Sequence, residues 1–264
     1  MEQIIKRVTN SLLKISKVLL SPTAGVCILL VISFLIGEAM PNAIEISKQR
    51  LVPIYSVDRA DNKIALTIDA AWGNEYTDEI ISILDRYGVP ITFFTVDFWA
   101  KEYPEDVKKL KLHGHEIGNH SLTHPDMAGL SKEKITEELL TTWQTQQKYA
   151  GSSAVRLFRA PYGSYSDNLI RTANELGFQC IQWDVDSIDW KDGVTADEVI
   201  ERVLTKTRSG SIILMHNNSK VITKVLPAVI EGLRAKGYSF VTVSRLIYND
   251  NFTIDSNGVQ HSSK

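Results

Sequence analysis

The sequence predicts an α/β domain with parallel strands over residues 63–248, set behind an apolar N-terminal segment. Two observations carry the prediction. Short β-rich runs alternate with helically spaced stretches throughout that region. Polar residues suited to chemistry fall at or just after the β-rich runs, and parallel α/β sheets gather the ends of their strands on one face. The pattern favours a (β/α) barrel over a doubly wound sheet without deciding between them.

The first β-rich run is KIALTI, residues 63–68. Residues 75–87 have helical spacing and stop at Gly88, a residue that takes the left-handed conformation ending many helices. Residues 91–96 are β-rich. Residues 104–112 are helical, with Pro104 at the first turn, where its missing N–H leaves nothing unpaired. A short strand is expected at 115–117. Residues 131–149 form a long helix with Ser131 as N-cap, and Lys134 stands where a capping box has Glu. Strands at 155–158, 178–183, 211–215 and 239–243 alternate with helices at 167–176, 195–207 and 220–235. Thr195, followed three residues later by Glu198, gives one of these helices a full capping box.

A chain that is 44% hydrophobic and 23% charged has enough apolar residues for a substantial core. The net charge of −2 gives no basic field for nucleic acid, and suits an uncharged polymer better than a polyanion. The two cysteines, Cys27 and Cys180, lie in separate apolar stretches and form neither a disulfide framework nor a C-x-x-C site.

Residues 18–37 carry no charge and are long enough to span a bilayer. Lys6, Arg7, Lys14 and Lys17 precede them, which by the positive-inside rule sends the rest of the chain out of the cytoplasm. Ser21-Pro22-Thr23 interrupts the run, and Gly37-Glu38-Ala39 offers a small-x-small cleavage site. An uncleaved membrane anchor is favoured over a signal cleaved near Ala39. The expected organisation is a basic stub and anchor at 1–40, a linker at 41–62, the α/β domain at 63–248 and a frayed tail at 249–264.

Within the domain, His120 and His124 stand four residues apart, a spacing that on a helical turn brings both imidazoles to one side to grip a metal ion. Such pairs also arise by chance, but all six histidines except His261 lie in the domain, and His216 ends a strand. Asp69, at the end of a strand, suits a general base; a turn-forming Asp is the plainer alternative. Arg159 precedes a Pro-Tyr-Gly turn, where it could grip a carboxylate through two parallel bonds. Asp184 also follows a strand. Asp189 and Trp190 close WDVDSIDW, a mixture of carboxylates and indoles suited to a sugar or to a packed polar loop.

Read in order, TIDAAWG (67–73), HSLTH (120–124), RAPYG (159–163), DSIDW (186–190) and LMH (214–216) resemble the five motifs of the polysaccharide deacetylases. These are also called NodB-homology or carbohydrate esterase family four domains. GHEIGNH (114–120) fits as the lead-in to the second motif, and the resemblance covers nearly all of 63–248. It implies a distorted (β/α) barrel, a divalent metal, most often zinc, and removal of acetyl groups from chitin, peptidoglycan or related glycans. It further implies His120 and His124 as metal ligands, Asp69 as the base and Arg159 as its orienting partner. The Tyr162 backbone N–H would stabilise the oxyanion. Asp189 would tune His216, and His216 would protonate the leaving amine. Trp190 and Leu214 would line the acetyl pocket.

The family's first motif usually reads T-F-D-D-G, and its second Asp is the third metal ligand. Here that position is Ala70, which has no donor atom. Catalytic zinc normally has three protein ligands and a water. Asn74, Glu75 and Asp126 are the nearest replacements in sequence. The form DAAWGN is similar to a sporulation-associated, membrane-anchored subgroup. The resulting expectation is an N-deacetylase of peptidoglycan N-acetylglucosamine or N-acetylmuramic acid, acting in spore or cell-wall maturation. Its domain would lie in the cell envelope or the forespore intermembrane space. The alternative, resting on Ala70, is a glycan-binding protein without turnover.

Overall fold

The computed structural model describes residues 50–263. The expected basic stub, the anchor at 18–37 and the first part of the linker, 41–49, lie outside the described residues. Among those described, no helix is long and apolar enough to cross a membrane.

The chain runs β1 (Ser56–Val57), β2 (Lys63–Ala70), α1 (Thr77–Tyr87), β3 (Thr92–Thr95), α2 (Asp97–Glu102), α3 (Pro104–Leu112), β4 (Glu116–Asn119), α4 (Lys132–Ala150) and β5 (Ala154–Phe158). It continues with α5 (Asp167–Glu175), β6 (Gln179–Cys180), β7 (Val185–Asp186), α6 (Ala196–Lys206), β8 (Ile212–His216), α7 (Ile222–Ala235), β9 (Ser239–Phe240) and α8 (Val243–Leu246). A hairpin, β10 (Phe252–Ile254) and β11 (Val259–Ser262), ends it. The main sheet has the order β6-β5-β4-β3-β2-β8-β7, with β9 also on β2. All its pairings are parallel.

The parallel α/β class is therefore as expected, and the architecture is consistent with a curled, incomplete (β/α) barrel. Its two end strands, β6 and β7, do not pair with each other. They follow one another with no helix between, so the crossover that would place the second as a regular neighbour is missing. Segment 54–57 bridges part of this opening. Ile54 pairs with Ile181 beyond β6, and Ser56 with Ser211 at the start of β8.

Strand β2 organises the core. Its alternate residues Ile64, Leu66, Ile68 and Ala70 join a cluster with Phe93, Trp99, Ile80 and Leu84. Ala65, on the other face, joins Phe94, Leu157 and Ile212. The helix signals hold at several ends. Gly88 follows α1 with φ 58°, Ser131 caps α4 through Lys134 N–H, and Thr195 and Glu198 complete the capping box of α6.

Two segment readings are corrected. Part of the expected linker belongs to the domain, because Ile54 and Val57 are buried apolar residues whose amides bond to the Cys180 and Gly210 carbonyls. The expected frayed tail instead forms the β10–β11 hairpin, which pairs parallel to β1. Its polar composition concealed this, because the anchoring residue is itself polar. Buried Gln260 accepts from Tyr248 N–H and donates to the Tyr248 carbonyl. Truncation after Tyr248 is expected to lower the thermal midpoint, by about 2–4 °C for each kcal/mol lost. An unchanged midpoint in calorimetry would restore the frayed tail.

Candidate active site

The sheet register explains how residues distant in sequence converge. Asp69 is the direct neighbour of His216 on β8, Ala70 of Thr95 on β3, and Thr95 of Asn119 on β4. Each strand ends at the same level, and the loops leaving them surround a cleft of about 750 Å³. Asp69, His120, His124, Tyr162, Asp189, Trp190, Leu214 and His216 all line it. Arg159 lies behind that lining, fully buried, against the Asp69 carboxylate.

Arg159 does not make the two-pronged grip expected of it. Its Nη1 donates to one carboxylate oxygen, Asp69 Oδ1, at 2.7 Å and to Thr67 Oγ1 at 2.8 Å. Its Nη2 is taken by the Gln182 carbonyl at 3.1 Å. The guanidinium carbon lies 4.1 Å from the centroid of the Phe94 ring. Asp69 Oδ2 is left facing His120 Nε2 at 3.5 Å. Burial works against ionisation of Asp69, but the Arg159 guanidinium outweighs it and holds its carboxyl below the ordinary range. Asp69 is thus a fixed carboxylate at neutral pH.

On the other side, Asp189 grips His216 twice. Its Oδ1 pairs with the ring Nδ1 at 2.8 Å and its Oδ2 accepts the backbone N–H at 3.0 Å. A ring with Nδ1–H so engaged keeps Nε2 for the cleft. Burial favours the neutral ring, yet Asp189, Asp69 and Asp186 outweigh it and raise the pKa of His216. A carboxylate held low beside an imidazole held high is the pattern of a base and an acid in one site.

The two expected metal ligands lie with ring centroids 4.9 Å apart, but not on a helical turn. Ser121 and His124 have φ of 74° and 57°, so the segment is an irregular loop. Glu138 of α4 holds it, accepting from Leu122 N–H, Thr123 N–H and Thr123 Oγ1 at 2.7–3.0 Å. His120 Nδ1 contacts the Arg159 carbonyl at 2.8 Å, which makes that nitrogen the donor and leaves Nε2 as a lone pair toward Asp69. Burial keeps His120 neutral. Burial and then His120 push His124 down to about 4.

These neutral imidazoles are competent ligands, but the donor set stops at two. Ala70 is fully buried among apolar residues and offers no donor atom. None of the nearby replacements reaches the cleft. Asn74 donates to Asp106, Asp126 accepts from Ala128 N–H and Ser164, and Glu75 is not among the lining residues. Among the described residues, no group of three or more His, Cys, Asp or Glu side chains is placed to hold a metal ion. The residues present do not make up a three-ligand zinc site.

Asp184, expected at the same face, is absent from the lining. Its carboxylate accepts from Ser211 Oγ and Ile212 N–H, where it fixes the start of β8. Sequence reading missed Glu138 and Asn217. Glu138 sits in an ordinary helical pattern and only its three loop contacts reveal it. Asn217, directly after His216, donates to the Trp72 and Gly73 carbonyls at 3.3 and 2.8 Å.

The polysaccharide deacetylase family model matches residues 56–181. Two peptidoglycan-N-acetylglucosamine deacetylases of Bacillus cereus are 34% and 32% identical, over 69% and 73% of this chain and 66% and 92% of their own length. The chain belongs to the polysaccharide deacetylase family. The uncharacterized protein YlxY of Bacillus subtilis is 36% identical over 74% of this chain and 60% of its own length. The aligned part therefore spans less than two thirds of YlxY and of the first of the two Bacillus cereus proteins. Within this family, the solved structure of BA3943 from Bacillus anthracis, described as a CE4 family pseudoenzyme, superposes with TM-score 0.70. It is 36% identical and covers 74% of this chain and 68% of that one. A BA3943 mutant described as having restored enzymatic activity gives TM-score 0.70 at 37% identity, over 74% of this chain and 71% of that one.

Two outcomes follow from this geometry. Glu138→Ala leaves three loop donors unpaired and is expected to cost about 1–3 kcal/mol in urea unfolding, with Glu138→Gln recovering most of it; equal stability of all three proteins would show that the loop does not lean on Glu138. In a ring-proton NMR titration, His216 is expected to change charge above the ordinary 6.5. Asp189→Asn should lower that midpoint, and an unmoved midpoint would remove Asp189 as the tuning group.

Proposed function

We propose that the protein takes N-acetylated amino sugars of peptidoglycan, N-acetylglucosamine or N-acetylmuramic acid, into this cleft as an N-deacetylase with slowed turnover. Ala70 is the cause of the slowing. The observation that carries the reading is the paired arrangement of Asp69 with Arg159 and Asp189 with His216 on neighbouring strands, which sugar binding alone does not require. Asp69 is poised to take a proton from a water attacking the acetyl carbonyl. His216 is poised to deliver one to the departing amine, which is a poor leaving group until protonated. The turn at Tyr162, where φ is 60°, brings a backbone amide to the rim as an oxyanion donor. Leu214 and Trp190 supply apolar surface for the acetyl methyl.

Support for the substrate class comes from the names of the Bacillus cereus relatives and from the net charge, which suits an uncharged glycan. Support for a setting outside the cytoplasm, by membrane anchor or after cleavage near Ala39, comes from the basic flank and the apolar run at 18–37. The likeness of DAAWGN to a sporulation-associated subgroup supports a role in spore or cell-wall maturation. A divalent ion, zinc by the preference of imidazole donors, would bind His120 and His124 weakly.

A second reading has its own observation. With Ala70 the donor set stops at two imidazoles, as expected of a chain that keeps the cleft for binding without the metal. The substitution Ala70→Asp separates the two. A third ligand restores Lewis-acid assistance worth several kcal/mol, on the order of 100-fold or more in rate. Acetate release from purified N-acetylated peptidoglycan with added zinc is expected to be slow for the natural chain and to rise by that factor in Ala70→Asp. No acetate from the natural chain, with glycan binding intact, would leave the binding reading. Failure to bind glycan would remove both.

A further inference from the structure

Trp72 belongs to the TIDAAWG motif, yet the acid–base arrangement gives it no task. Its indole is 55% exposed at the cleft. The loop beneath it is nevertheless rigidly held. Buried Asn217 ties down both the Trp72 and Gly73 carbonyls, and buried Trp99 donates its Nε1–H to the Gly73 carbonyl at 2.7 Å. A large apolar ring kept exposed on a loop whose backbone is pinned is partly preorganised for a ligand, because the loop itself need not be ordered when the ring is covered.

The ring does not stand alone. Its centroid lies 6.1 Å from that of Phe98 and 4.9 Å from that of His124, and His124 lies 4.7 Å from Tyr162. Phe98, Trp72, His124 and Tyr162 thus form a continuous aromatic ledge. It is built from the segments after β2, β3, β4 and β5, with Phe98 in α2, whereas His216 ends β8 and Trp190 follows β7 on the other side of β2. Pyranose rings present apolar C–H faces that stack on indoles. The cleft, at about 750 Å³, lies in the upper part of the roughly 300–1,000 Å³ range of small-molecule sites, more than one amino sugar fills.

We propose that Trp72 is a carbohydrate-stacking residue that holds the sugar adjoining the N-acetyl unit under Asp69 and His216. This rests on the reading of the cleft as an N-acetyl amino-sugar site. Trp72 contributes affinity along the chain and takes no part in proton transfer.

Calorimetric titration of the full chain with N-acetylglucosamine and with its β-1,4-linked tetramer tests this without any need for turnover. The natural protein is expected to bind the tetramer more tightly than the monomer. Trp72→Ala should weaken the tetramer about tenfold, the scale of one lost aromatic stacking contact, and leave the monomer unchanged. Trp72→Phe, which keeps a smaller ring on the Phe98 and His124 contacts, should lie between the two. Equal loss for monomer and tetramer, or no loss in either variant at an unchanged thermal midpoint, overturns the stacking role while leaving the amino-sugar cleft in place. Absence of binding to either sugar by the natural protein overturns the cleft and this inference with it.

Discussion

The buried ion pair between Arg159 and Asp69 is the constraint around which the rest is arranged. A guanidinium with no exposed surface is tolerable only when paired and hydrogen-bonded. Arg159 meets that demand from three directions: the Asp69 carboxylate, the Thr67 hydroxyl and the Gln182 carbonyl. It thereby ties β2 to the segments after β5 and β6. Its own carbonyl fixes the tautomer of His120. One residue thus sets the ionisation of the base and the orientation of the nearest imidazole. Breaking the pair would strand a buried charge, so Asp69 cannot be treated as an independent catalytic group.

Much of this was legible in the sequence because it depends on local order and short spacing. The ends of α1, α4 and α6 were marked by Gly88, Ser131 and the Thr195–Glu198 box. Asp69, His120, His124, Tyr162, Asp189, Trp190, Leu214 and His216 do meet at one cleft, as strand ends in a parallel sheet must. What failed depended on contacts between distant segments. The β10–β11 hairpin reads as polar because Gln260, not an apolar residue, anchors it. Asp184 follows a β-rich run, but the next strand, β8, claims its carboxylate. The four-residue spacing of His120 and His124 suggested a helix, whereas Glu138 and two left-handed residues hold an irregular loop. Asn217 was hidden for the same reason, since its partners lie on the loop after β2.

The acid–base pairs and the ligand set have therefore diverged. Asp69 and His216 have partners that hold one pKa down and the other up, while Ala70, the next residue along β2, offers no donor atom. Asn217 and Trp99 hold the loop that carries Trp72 at the rim of the cleft. On the proposed reading, such a site has the groups for recognition and proton transfer without the third donor, which fits both membership in a deacetylase family and likeness to a pseudoenzyme structure.

The central claim is that the hydrolytic pairs stand beside an incomplete metal seat. Zinc titration of the natural chain and of Ala70→Asp by calorimetry tests it most directly. The account predicts that the natural chain binds zinc more weakly than the variant by more than the ~10–100-fold that loss of an outer-shell partner costs, with His120→Ala abolishing what remains. Equal, tight binding by both proteins would mean that another side chain completes the seat, and would contradict the account.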